Sequence, residues 1–98
     1  MSLSSGRLLW LVRRDLGRVC SVFDCVDGRR PFYDLLAVGS GDDWYVDVVG
    51  RNFSPSELVE FRELAVSLGG VAVRARFRES LFSRLLRLNR VVVAYERV

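Results

Sequence analysis

The chain contains no lysine and no histidine. All 15 of its basic residues are arginine, set against 12 acidic residues for a formal net charge of +3. Lack of histidine excludes Ser-His-Asp and Cys-His catalysis and every histidine-ligated metal centre. Lack of lysine excludes Schiff-base chemistry, a phosphate-loop lysine and any lysine-dependent nuclease centre. Isoleucine, threonine and glutamine are missing too. The arginine preference therefore reads first as biased composition. The functional alternative is phosphate recognition, which suits arginine's fork of donors. No apolar run approaches the roughly 18 residues of a membrane span, so no membrane association is expected. Cysteine is scarce as well. Cys20 and Cys25 lie an odd number of residues apart in VCSVFDCV, so in a strand they face opposite ways and do not pair. An intracellular, cytoplasmic setting fits unpaired thiols.

What is present is enough for one domain. The chain has 98 residues, half of them hydrophobic and only two of them proline. Two domains of half that length would each fall below the size at which a core sustains itself. The arginine-rich start reads as part of the fold rather than as a removable targeting segment.

Residues 4–17 predict a helix capped by Ser4 or Ser5, with Leu8, Leu9, Leu11, Val12 and Leu16 as its apolar stripe and Gly17 at its end. Trp10 is assigned to packing on that helix. Residues 19–26 read as a strand, followed by an Asp27-Gly28 turn. Residues 32–38 and 44–49 read as a hairpin around Gly39-Ser40-Gly41-Asp42-Asp43. A helix start follows: Ser54 as N-cap, Pro55 at N1, Glu57 closing a capping box, and Phe53 with Leu58 as a hydrophobic staple. Its stripe is Leu58, Phe61, Leu64, Ala65 and Leu68, and Gly69-Gly70 ends it. Residues 71–77 form a strand with Val71, Val73, Ala75 and Phe77 on one side and Ala72, Arg74, Arg76 and Arg78 on the other. A short helix over 81–88, capped by Ser80 and ended by Asn89, precedes a last strand over 91–95. The expected fold is α/β, a mixed five-stranded sheet flanked by helices in the order αβββαβαβ.

Two acids interrupt strands that otherwise read as core, Asp34 in FYDLLAV and Asp47 in WYVDVV. A hairpin centred on its turn sets 34 opposite 47 with both side chains on one face. Paired carboxylates repel and need a cation, an arginine or solvent. A divalent metal is the functional answer; Arg29, Arg30 or Arg51 nearby is the structural one. The arginines offer a second pattern. Arg74, Arg76 and Arg78 make a one-sided row of roughly 13 Å. With Arg13, Arg14, Arg29 and Arg30 they make a candidate phosphate-contacting surface. The alternative is that the row pairs with Glu57, Glu60 and Glu63 or guards an exposed strand.

These segments resemble the restriction-endonuclease-like superfamily with its PD-(D/E)xK signature, and within it the archaeal Holliday junction resolvases. FYDLLAV matches the segment around the first metal-binding aspartate, WYVDVVGR the segment bearing acid-x-lysine, and SPSELVEFRELAVSLGGVAVRARFR the helix and strand that follow. The resemblance implies a nuclease fold, a dimer, and Asp34 and Asp47 as ligands of magnesium or manganese if the chain is active. Val49 occupies the lysine position, however, and cannot orient a water or stabilise developing charge. Arg51 can supply charge but cannot act as a base. The glutamate of the family's first helix has no counterpart beyond Asp15. The expectation is therefore a catalytically inactive, nucleic-acid-binding protein with no cofactor, acting as a homodimer or as the structural subunit of a hetero-oligomer on DNA or structured RNA. The alternatives are a metal-dependent endonuclease using Asp34, Asp47 and Arg51, or an interaction module that binds no nucleic acid.

Overall fold

The computed structural model describes residues 4–24, 32–79 and 91–98. Cys25, the Asp27-Gly28 turn, Arg29, Arg30 and the expected helix over 81–88 lie outside the described residues. Within them the order is α1 (Ser5–Leu16), β1 (Ser21–Asp24), β2 (Leu35–Val38), β3 (Asp43–Asp47), α2 (Pro55–Ser67), β4 (Gly70–Glu79) and β5 (Val91–Arg97). The five strands form one sheet in the order β1-β2-β3-β4-β5. Only β3 and β4 run parallel, because the chain between them crosses over through α2 whereas β2 and β3 are joined by a tight turn. No described helix is long and apolar enough to cross a membrane.

The fold has a helix on each face of the sheet. Strand alternation sends Leu35, Ala37, Val46, Val48, Val73 and Ala75 to one side, where Val12 and Leu16 of α1 cover them. Tyr33, Tyr45 and Ala72 go to the other, under Phe61 and Ala65 of α2. The sheet thus carries two small cores. Tyr95 of β5 donates a hydrogen bond to Asp15 Oδ2 at 2.6 Å, tying the edge strand to α1. Burial and this contact push the Tyr95 hydroxyl up, so it stays a donor throughout the ordinary pH range.

Local chemistry explains the boundaries. Ser54 caps α2 with a complete capping box: its Oγ accepts from the Glu57 N–H at 3.3 Å, and Glu57 Oε1 accepts from the Ser54 N–H at 3.1 Å. Phe53 packs against Phe61 and Phe32, with ring centres 5.7 and 6.0 Å away, so the apolar contact at this entry reaches a full turn beyond Leu58. Gly69 takes the left-handed conformation (φ 84°) that ends the helix. Gly70 then passes so close to Tyr45 that a Cβ there would stand 2.5 Å from the ring. Leu68, expected in the buried stripe, is exposed because the helix has already ended.

Two strands begin later than the sequence indicates. The first begins at Ser21, not Val19, because the Val19 and Cys20 N–H groups both bond back to Leu16 O in the last turn of α1. The second begins at Leu35, although the Asp34 N–H still donates to Val46 O at 2.8 Å. The hairpin register is as expected: Leu35 pairs with Val46 and Ala37 with Trp44. One step further along this ladder, Asp34 stands opposite Asp47.

Candidate functional site

Asp34 and Asp47 meet where β2 begins and β3 ends. The third strand stops at Asp47 and the chain turns through Gly50, whose φ of 73° strongly favours glycine. That turn carries Arg51 back over the carboxylates. Its Nη2 lies 2.8 Å from Asp34 Oδ1 and its Nη1 2.9 Å from Asp34 Oδ2, a bidentate fork, and Nη1 also reaches Asp47 Oδ1 at 2.7 Å. A second arginine arrives from β4. Arg74, the register partner of Asp47 in the parallel pair, sets Nε 3.4 Å from Asp47 Oδ2 and donates from Nη2 to Arg51 O at 2.7 Å. Its guanidinium lies over the Phe53 ring, 5.0 Å from the centre. The cluster thus holds two aspartates and two arginines. Its formal charge is zero.

The two carboxylates differ in setting. Asp34 Oδ2 accepts from the Val48 and Val49 N–H groups at 2.8 and 3.2 Å, so it caps the backbone where β3 stops. Burial pushes its carboxyl up, but Arg51 and these two N–H donors outweigh burial and hold it below the ordinary carboxylate range. Asp47 is fully buried. There burial wins, with Asp34's charge adding to it, and the carboxyl is pushed up despite Arg51 and Arg74. Arg51 is held above its ordinary value, mainly by its hydrogen bonds to Asp34. It remains a cation. No buried side-chain polar atom among the described residues lacks a partner.

The geometry brings some of the expected site residues together and keeps others apart. Arg51 does not wait beside an open acid pair; it occupies the space between the carboxylates. A divalent ion would have to displace it, and among the described residues no group of three or more acidic or cysteine side chains gathers as a metal site. Val49, which the resemblance sets at the lysine position, is half-buried on the wall of a different concavity, with Leu8, Val48, Ala75 and Arg78. The arginines of the β4 row differ in their surroundings. Arg74 is committed to Asp47, Arg76 pairs with Glu96 across the ladder at 3.1 Å, and Arg78 is exposed. The partners are thus Asp47 and Glu96, not the glutamates of α2. On α1, Arg13 forms a surface ion pair with Asp24.

Sequence reasoning misplaced Trp10. It does not join the core but is 47% exposed on the outer side of α1, with the Arg7 and Arg14 guanidiniums 4.7 and 5.4 Å from its ring centre. The spacing carried the signal: residues three before and four after a helical position share its face, and here both are arginine. With Gly6, Leu9, Arg13, Arg14 and the acids Asp24 and Asp34, Trp10 lines an open concavity of about 660 Å³. No protein-family model, curated protein or solved structure matches the chain.

Proposed function

We propose that the protein is a catalytically silent, nucleic-acid-binding relative of the restriction-endonuclease-like fold. The observation that carries this reading is the fork of Arg51 across Asp34 and Asp47. These two acids would hold the metal in an active member, and here an arginine of the same chain neutralises them. A permanently protonated guanidinium cannot activate water. The lysine position offers only an aliphatic side chain. Both features remove chemistry while leaving the frame intact.

The binding half of the proposal rests on surface charge. Residues 4–18 carry four arginines against one aspartate, and Arg7, Arg13, Arg14 and Arg18 are all exposed. Arginine pairs with phosphate through two parallel hydrogen bonds, and such contacts hold a nucleic acid without reading its sequence.

The test scores binding and cleavage together on branched DNA, linear DNA and structured RNA, with manganese, with magnesium and with chelator. Binding that is indifferent to chelator, with no cleavage, is the expected result. Metal-dependent cleavage lost on Asp34→Asn or Asp47→Asn would replace this reading with the endonuclease. Absence of binding to every substrate would leave the interaction module.

A further inference from the structure

The exposed Trp10 has no role in the ion-paired cluster or in either core. Tryptophan combines a large apolar area with a flat π-face, and this indole is 47% exposed. It lies on a wall of the 660 Å³ concavity, within the roughly 300–1,000 Å³ typical of sites for small ligands. The acids on that wall are already matched: Asp24 by Arg13 and Asp34 by Arg51. Among the described residues Arg7 and Arg14 have no carboxylate partner. Arg14 lines the concavity and Arg7 reaches the same ring from beside it, so an aromatic face and unmatched positive charge lie together.

We propose that this concavity binds single-stranded nucleic acid, with one unpaired base stacked on Trp10 and the flanking phosphates held by Arg7 and Arg14. The inference rests on the nucleic-acid-binding reading above and adds to it the class of nucleic acid and the place of contact. In the free protein the guanidiniums rest over the indole. Stacking of a base on an aromatic ring is worth more than a cation over an exposed ring, so a base displaces them. The released arginines then meet the phosphates on either side. A duplex cannot make the same exchange, because its bases are already stacked on one another. Both groups sit on one regular helix, so the ring and the two cations are presented together.

The experiment uses fluorescently labelled decamers of deoxythymidine and of uridine, a blunt duplex of equal length, and polyglutamate as an anionic protein control. Binding is read by anisotropy for the full-length protein and for Trp10→Ala, Trp10→Phe, and Arg7→Ala with Arg14→Ala. Trp10→Ala should weaken binding to the single strands about tenfold and leave duplex binding unchanged, while Trp10→Phe recovers most of the loss. The double arginine variant should lower the slope of log affinity against log salt by between one and two. Quenching of Trp10 fluorescence by the single strands, read in a Trp44→Phe background, is the direct signature of stacking. Equal losses on single strand and duplex, equal quenching by polyglutamate, or unchanged single-strand binding in Trp10→Ala would each overturn the proposed site. In those cases nucleic-acid binding itself would still be observed. Failure of the unsubstituted protein to bind any nucleic acid would overturn both readings.

Discussion

At the residue scale, Arg51 ties together several parts of the structure. It bridges two strands, compensates two carboxylates and offers its own carbonyl to Arg74. Arg51→Ala should destabilise the protein by about 2–4 kcal/mol, somewhat below the range for a fully buried pair because Arg51 keeps contact with solvent. Urea denaturation at pH 7 measures this. Manganese should raise the melting temperature of Arg51→Ala and leave that of the unsubstituted protein unchanged, since only the variant frees the Oδ1 atoms of both carboxylates. The aspartates themselves should separate by pH. Asp34 is held below its ordinary value, so its contribution is present above about pH 4 and is lost as pH falls through the folded value. Asp47 is pushed up, so its protonation adds stability earlier in the fall, as pH drops through its folded value towards about 4, a change opposite in sign to that of Asp34. Asp34→Asn should therefore flatten the acid limb of a plot of stability against pH, and Asp47→Asn should steepen it. Denaturation at a series of pH values between 2 and 7 decides the matter.

At the scale of elements, the most legible piece of the sequence was α2. Cap, proline, box and terminal glycines are all local signals, and each of them appears in the structure because no tertiary contact competes with it. Ser54→Ala should cost about 1 kcal/mol, read as a lowered melting temperature. Gly70→Ala should cost about 1–3 kcal/mol by pressing a Cβ against both the Tyr45 ring and the Asp43 carbonyl oxygen, a cost no local signal announces. The register of the hairpin was legible too, since the turn centre fixes it and brings Asp34 opposite Asp47. What filled the space between them was legible only as a choice among Arg29, Arg30, Arg51 and a metal. Whether Arg51 joins the acids depends on the backbone turning at Gly50, and periodicity carries no information once a strand has ended. Trp10 was misread for a related reason. A broad apolar stripe on a helix does not say which of its flanks meets the sheet, whereas the arginines on either side of Trp10 did carry that information.

On the scale of the whole molecule, one sheet serves two cores that have no residue in common. Val46 and Tyr45 are neighbours in β3, yet one belongs beneath α1 and the other beneath α2. Loss of either core bares one face of the central strands, so the two should fail together. Phe61→Ala, at about 3–5 kcal/mol, consumes much of what a domain of this size has available. Its far-ultraviolet and near-ultraviolet transitions in urea should coincide, as should those of the unsubstituted protein. Separate transitions would mean that the layers unfold independently.

The position of Arg51 four residues after Asp47 also bears on the protein's relation to its surroundings. A counterion attached by so short a length of chain is always at hand, at a local concentration that does not change with the medium. A freely diffusing divalent ion must compete against it with whatever supply the compartment holds. Charge balance at these acids is therefore independent of metal supply, and changes in magnesium or manganese should leave the protein's shape and stability unaltered.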